Sequence, residues 1–453
     1  MSLLERLLTS TWNRLLSRTR RHSAWDLLLG HRIRPDGRRV GRAYIDDRKR
    51  PEHIAVLGKT GTGKTTLLRF FCEQDIMTEH GFIFFDLHGQ VTNSLLGRIT
   101  ATKRRDGLDH SERVVLIDPA SRSSSVGINV LNVLDEQGTF VKVAELVEVL
   151  RARWSLDSFG ARTEELLRNS LLLLIQCRLT LLEIEPLLTN HIFRSECLSQ
   201  ARSGPASKYF SERFEPLSLP MKGVLIEPVL NKITAFSADP HIRHIIGQTY
   251  STIDFRKVLE EGHQVIINLN KGRLGEEAKT LGSLLLTQIK SALFGRRSRR
   301  TFTIYCDEIQ NLVAYDQGLE SLLAEARKFG VSICSANQYL DQLTPAMRAA
   351  ILSCGTQLFF QLSGRDAQYA TTILGGPRSI SHALRTLSRR QLVARISSSE
   401  PTWIQVPELA ESQIPTIGLR SRLASSWTQK REAIEREIAE RQQTINDELD
   451  GWD

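Results

Sequence analysis

One octapeptide constrains this chain more than any other feature: Gly58-Lys59-Thr60-Gly61-Thr62-Gly63-Lys64-Thr65, followed by Thr66. It matches G-x-x-x-x-G-K-[ST] and stands where that motif must stand, between an apolar run at His53 to Leu57 and a helix-like stretch at Lys64 to Gln74. Glycines let the backbone wrap tightly enough for successive N–H groups to face phosphate oxygens. The helix N-terminus adds a favourable dipole. Gly58, Thr60, Gly61, Thr62, Gly63, Lys64, Thr65 and Thr66 are therefore the expected nucleotide contacts. In such a loop the lysine supplies charge to the terminal phosphates and the Thr65 hydroxyl ligates magnesium, so ATP and Mg2+ are the ligands implied.

A second segment answers the first. Phe302 to Glu308 (F-T-I-Y-C-D-E) reads as a buried strand ending in two carboxylates. Beside a phosphate loop, Asp307 would hold the magnesium shell and Glu308 would polarise an attacking water as general base. The pair makes hydrolysis, rather than binding alone, the expected outcome. Asp86-Leu87-His88-Gly89 closes another apolar strand and belongs at the same carboxyl edge, where α/β ligand sites lie. There Asp86 and His88 have either a site role or a turn and N-cap role. Arg327 and Gln338 flank the next strand. A guanidinium can stabilise a transferring phosphoryl group and an amide can sense the terminal phosphate, although spacing alone equally allows surface residues.

The strand signals set the architecture. Gly81 to Asp86, Arg113 to Asp118, Val265 to Leu269, Phe302 to Cys306, Val331 to Ala336 and Gln357 to Gln361 are apolar on both faces and alternate with helical stretches. That pattern implies a parallel sheet covered on both sides by helices, an α/β fold. Between Thr139 and Tyr250 strand signals nearly vanish, and Pro186, Pro205, Pro216, Pro220 and Pro228 punctuate helical spacing. The expected organisation is a basic N-terminal arm (1–50), a motor domain (51–138 and 251–410), an all-α insertion (139–250) and a charged helical tail (411–453).

Charge is uneven. Residues 1–50 hold thirteen Lys/Arg against five Asp/Glu, or +8 of the net +9, which leaves the body nearly neutral. Within this arm Leu3, Leu4, Leu7, Leu8, Trp12, Leu15 and Leu16 recur at helical spacing. The arm suits nucleic acid, a membrane surface or a protein partner, and it also suits a solvated leader. Basic clusters at Arg296 to Arg300 and at Arg385, Arg389, Arg390 and Arg395 read as surface charge or phosphate-backbone contacts. Six scattered cysteines form no CxxC pair, against a zinc site or a disulfide framework and for a reducing compartment. No run reaches the roughly 20 apolar residues of a membrane span.

Five motifs in order resemble the HerA/FtsK superfamily of DNA-pumping ATPases, and within it the conjugative coupling proteins of type IV secretion (the TraD/TraG group). They are H-I-A-V-L-G-K-T-G-T-G-K-T-T (His53 to Thr66), F-F-D-L-H-G (Phe84 to Gly89), C-D-E-I-Q-N-L (Cys306 to Leu312), E-A-R-K-F-G-V-S-I-C-S-A-N-Q (Glu325 to Gln338) and S-G-R-D-A (Ser363 to Ala367). The resemblance implies a RecA-like P-loop NTPase sheet with an inserted all-α domain, assembled as a homo-hexamer with DNA in the central channel. It further implies Lys64 and Thr65 as phosphate and magnesium contacts, Asp307 and Glu308 as catalytic carboxylates, and Gln338 as the post-strand glutamine. Arg327 would be an arginine finger acting on a neighbour's nucleotide, and Arg365 a second interface arginine. Coupling proteins of this group usually begin with transmembrane helices. This chain shows none, so the expectation is a cytoplasmic relative whose arm meets a membrane surface or partner. A DNA translocase is the leading expectation, with Lys271 and Arg273 as candidate pore-loop contacts. The alternatives are an ATP-gated scaffold that recruits an effector and a protein-substrate transport ATPase.

Overall fold

The computed structural model describes residues 23–34, 37–106, 110–133, 136–154, 160–312, 319–375 and 379–447. The leucine stripe at Leu3 to Leu16 lies outside the described residues. Thirteen strands form among those described: β1 (Leu27–Ile33), β2 (Arg39–Ile45), β3 (Ile54–Leu57), β4 (Gly81–Asp86), β5 (Val114–Ile117), β6 (Ser124–Ser125), β7 (Gln264–Asn268), β8 (Phe302–Asp307), β9 (Val331–Asn337), β10 (Thr356–Phe359), β11 (Gln391–Ile396), β12 (Thr402–Gln405) and β13 (Gln429–Lys430). Eleven of them make one sheet in the order β2-β1-β12-β11-β10-β3-β9-β8-β4-β7-β5. From β10 to β5 every pairing is parallel, and from β10 outward to β2 every pairing is antiparallel.

The parallel strands have no solvent face. Successive residues of a strand point to opposite sides, and here both sides are packed. Phe82 and Phe84 of β4 join one core, with Leu67, Leu68 and Phe71 of helix α1 (Lys64–Thr78). Ile83 and Phe85 join the other, which continues into the helical insertion. This is why the run G-F-I-F-F-D is apolar at every interior position.

Helix α2 (Gln90–Asp106) precedes β5. Between β6 and β7 the described residues hold no strand, and their helices are α3 (Glu136–Trp154), α4 (Ala161–Gln176), α5 (Ile184–Thr189), α6 (His191–Gln200), α7 (Pro205–Tyr209), α8 (Leu219–Ser237), α9 (Pro240–Ile246) and α10 (Phe255–Glu261), with short 3-10 and π turns. Gly160 and Asn190 stand at the N-caps of α4 and α6, and the Asn190 side chain accepts from the Ile192 and Phe193 amides. No described helix is long and apolar enough to cross a membrane.

Three features depart from what the sequence alone suggests. Leu27–Ile33, grouped with the basic arm, forms β1, which pairs with β12 on one side and on the other with β2, whose residues Val40 to Ile45 do read as a short strand. The segment Gln391–Gln405 supplies two antiparallel strands that show no plain apolar run. The charged helix Arg431–Asp447 is not solvated all round. Ile434 and Ile438, one turn apart, are fully buried against the insertion, and Arg441 donates to Glu183 at 3.1 Å.

One buried polar network stitches the sheet to α1. Arg50, 1% exposed, donates from Nη1 and Nη2 to the two oxygens of Asp75 on α1, at 2.8 and 2.7 Å. Its Nη2 also reaches Thr303 Oγ1 (2.8 Å) and Tyr305 Oη (3.0 Å) of β8, and the tyrosine hydroxyl donates to Asp75 at 2.6 Å. Removing one partner leaves an uncompensated buried charge. Asp75→Ala should therefore cost about 3–5 kcal/mol in a urea unfolding titration. The double variant Arg50→Met with Asp75→Leu should recover part of that loss, because no lone charge remains.

Candidate active site

The phosphate loop fills the turn between β3 and α1, at the carboxyl edge of the parallel strands. Gly61 (φ +78°) and Gly63 (φ +114°) adopt left-handed backbone that a side chain would strain. A Cβ at Gly61 would meet nothing within 4 Å, so the loop is open on that side. At Gly63 a Cβ would press on Arg390, whose amide donates to Thr62 O at 2.8 Å. Lys64 is buried, and its ammonium turns back to the carbonyls of Gly58 (2.7 Å) and Lys59 (3.0 Å). Burial lowers its pKa, against the pull of Asp307 and Glu308. Thr62 Oγ1 donates to Lys59 O at 2.8 Å, and Thr66 lies half-buried in the first turn of α1.

Strand β8 runs between β4 and β9 and delivers both carboxylates to this loop. Thr65 Oγ1 donates to Asp307 Oδ2 at 2.6 Å. Burial pushes the Asp307 carboxyl above its ordinary value, with the Thr65 hydrogen bond and Lys64 opposing. Two hard oxygens side by side, one of them on a buried acid, are a donor set that suits magnesium sharing its shell with waters and phosphate. Glu308 follows in left-handed backbone at φ +55°, ψ +57°, a conformation costing a non-glycine residue about 1–2 kcal/mol. The turn lifts its carboxylate out of the strand line toward solvent.

Four side chains then hold Glu308 and the loop together. Gln338, next after β9, donates from Nε2 to Glu308 Oε1 and accepts from Thr60 Oγ1 at 3.1 Å. It thus links the phosphate loop to the candidate base. Asn311 donates to Glu308 Oε2 at 3.0 Å, and His88 Nε2 lies 3.6 Å from the same oxygen. The nearby Glu308 carboxylate raises the His88 pKa, and His88 in turn holds Glu308 below the usual carboxylate range.

Of the two alternatives at Asp86, the structure selects the turn and capping role. Asp86 is 3% exposed and accepts from the Gly89 amide (2.8 Å), the Thr92 amide (2.7 Å) and the Thr92 hydroxyl (2.8 Å), which shapes the entry to α2. Arg327 is not gathered into this site. It precedes β9, at the opposite edge of the sheet, where it is 65% exposed and lies 3.5 Å from Glu52. Arg365 is likewise exposed and pairs with Asp341 at 3.1 Å. Lys271 and Arg273 stand on a short helical turn after β7, beside the Asp86–Gly89 loop through the Lys271 amide on Leu87 O at 2.8 Å.

The basic clusters divide. Arg296 is buried and donates to the carbonyls of Leu259, Phe329 and Arg300, a structural role. Arg390 lies over the phosphate loop and pairs with Glu408 at 3.1 Å. Sequence reading missed Asn311 and the backbone role of Arg390. The spacing of three residues from Glu308 could have flagged Asn311, whereas the long-range antiparallel pairing of β10 with β11 brings Arg390 to Gly63.

Residues 32–162 match the sequence profile of the HerA helicase central domain. The fold is shared with solved structures of the plasmid coupling protein TrwB. The complex with a non-hydrolysable ATP analogue has a TM-score of 0.62 at 15% identity over 89% of this chain and 94% of that one. The complex with ADP and Mg2+ has a TM-score of 0.59 at 16% identity over 86% and 97%. VirB4 of Thermoanaerobacter pseudethanolicus aligns with a TM-score of 0.56 at 15% identity over 84% and 96%. No curated protein matches by sequence. Fold and site together define a P-loop ATPase. Within that class the chain resembles HerA in sequence and has the fold of TrwB and VirB4.

The His88–Glu308 pair has a readable consequence. A general base works ionised, and His88 depresses the pKa of Glu308. His88→Ala should shift the acid limb of the kcat–pH profile for ATP hydrolysis to higher pH and leave the loop's affinity for nucleotide in place.

Proposed function

We propose that this protein is an ATP-driven DNA translocase that works as a ring, in the manner of coupling proteins. The observation that carries the reading is the separation of Arg327 from its own phosphate loop. β9 runs parallel to β3, with Cys334 opposite Ile54 and Asn337 opposite Leu57. Arg327 precedes β9 while the loop follows β3, so the two lie at opposite edges of one sheet. The guanidinium therefore has no route to the nucleotide of its own subunit. Its exposure at the amino edge supports a role toward a neighbour's nucleotide, and the active form in this proposal is a hexamer.

In each site Gly58 to Thr66 would hold the ATP phosphates through backbone amides and Lys64. Thr65 and Asp307 would hold magnesium, which when bound neutralises charge on the phosphates. Glu308, oriented by Asn311 and His88, would take the proton of the attacking water. Gln338 touches both Thr60 and Glu308, so occupancy of the terminal-phosphate position and the posture of the base are coupled through one amide. The exposed Lys271 and Arg273 turn is joined to the loop after β4, which holds His88. That continuity gives hydrolysis a path to a surface suited to phosphate backbones, which bind without base readout. The basic, leucine-rich sequence ahead of β1 is proposed to meet a partner protein, a membrane surface or DNA.

Steady-state hydrolysis with and without DNA tests the reading. Wild type should be stimulated by DNA. Glu308→Gln should lose on the order of 100-fold or more in kcat. Arg327→Ala should lose on the order of 1,000-fold, and mixing it with Lys64→Ala subunits, which bring an intact Arg327 to the wild-type loops of the other chain, should restore activity. Restoration fails if Arg327 serves its own subunit. Hydrolysis indifferent to DNA but raised by a protein would favour protein transport, and indifference to both an ATP-gated scaffold.

A further inference from the structure

Arg327 sits on a 3-10 turn, Ala326–Phe329, between the helix Leu319–Glu325 and β9. One side chain grips the chain on both sides of that turn. His53 Nε2 lies 2.7 Å from the carbonyl oxygen of Leu323 on the incoming helix, and the Ile333 amide of β9 donates to Nδ1 at 3.1 Å. An amide N–H can only donate, so Nδ1 is the acceptor and Nε2 carries the proton given to Leu323. Both bonds therefore need a neutral imidazole. Burial pushes the His53 pKa down, the Leu323 bond opposes, and the charge of Arg327 adds to the lowering. The two partners bracket Arg327, one four residues before it and the other six after.

The ring is itself fixed. His53 is buried one residue ahead of β3, in backbone at φ +67°, ψ +157° that only glycine adopts freely. Its amide donates to Arg50 O at 3.0 Å, and its carbonyl accepts from the Thr356 amide of β10 at 3.1 Å. This backbone sends the carbonyl to β10 and the imidazole to β9. Strain of this kind persists only where the surroundings over-determine it. Arg299 Nη1 donates to Lys328 O at 2.9 Å, and Arg296 donates to Phe329 O. The main chain around Arg327 is thus pinned from several directions, while its guanidinium stays exposed beside Glu52.

We propose that His53 is a positioning residue for Arg327, fixing through Leu323 and Ile333 the angle at which the guanidinium is offered to a neighbour's nucleotide. The inference rests on the reading of Arg327 as acting between subunits. It gives β3 two duties, because the strand carries its own subunit's phosphate loop at one end and the anchor of the finger at the other.

Hydrolysis by full-length protein, alone and in mixed assemblies, tests the assignment. His53→Ala should bind a fluorescent ATP analogue as wild type does. It should lose on the order of 100-fold in kcat, the scale of a small misplacement of a reacting group. Mixing it with Lys64→Ala subunits, whose His53 and Arg327 are intact, should restore hydrolysis at the His53→Ala loops. Mixing it with Arg327→Ala should restore nothing, because neither chain then presents a well-placed finger. The reverse pattern, rescue by Arg327→Ala and none by Lys64→Ala, would overturn the proposal by placing the role of His53 at its own loop. Unchanged kcat would overturn it as well. The mixture of Lys64→Ala with Arg327→Ala separates the two levels. If that pair fails, the between-subunit reading falls and takes this inference with it; if it succeeds while His53→Ala is not rescued by Lys64→Ala, the assignment of His53 alone falls. Should His53→Ala lose nucleotide binding, His53→Gln, whose amide can both donate and accept, carries the mixing test. Loss of binding by both variants would tie His53 to its own phosphate loop and overturn the proposal.

Discussion

The buried pair of Arg50 and Asp75 sets the frame on which the site is hung. Arg50 lies just ahead of β3, Asp75 lies in the last turns of α1, and Thr303 and Tyr305 belong to β8. One guanidinium thus fixes three elements that the chain brings together from distant positions. Ion pairs of this kind rarely add much net stability, since desolvation offsets the attraction. Their effect is geometric, because a fork of N–H groups is satisfied in one arrangement only. With the far end of α1 clamped to β8 in this way, the near end presents Thr65 to Asp307.

Around that fixed contact the catalytic groups are held less rigidly. Glu308 occupies strained backbone and leans on Asn311, Gln338 and His88, each from a different loop at the carboxyl edge of the sheet. Strain of this sort survives only where neighbours over-determine it. Gln338 is the informative member, since its one amide touches both Thr60 of the phosphate loop and Glu308.

Within the parallel sheet the phosphate loop, Asp307, Glu308 and Gln338 gather at the carboxyl edge, while Arg327 stands at the amino edge against Glu52. The antiparallel strands beyond β10 serve the same site from the other direction, because the turn into β11 lays Arg390 across Gly63.

The phosphate loop, the acidic pair and the α/β alternation were all legible in the sequence, for a common reason. Each depends on local chemistry: glycines where the backbone must turn sharply, carboxylates at a strand end, and apolar runs where both faces are buried. The leucine pattern of the insertion was legible too, through helical periodicity. Long-range pairing decided the rest. β1 read as part of a basic arm because its short apolar run, Leu27 to Leu29, is set among arginines. Asp86 could have been catalytic or capping until Gly89 and Thr92 were seen to claim its oxygens. The Arg50–Asp75 clamp and the tie of Gln338 to Thr60 and Glu308 unite residues with no local signature. Sequence determined which chemistry this protein can hold. Tertiary structure decided which side chains share it, because proximity across a sheet depends on strand order and register, and neither is written in any short stretch of chain.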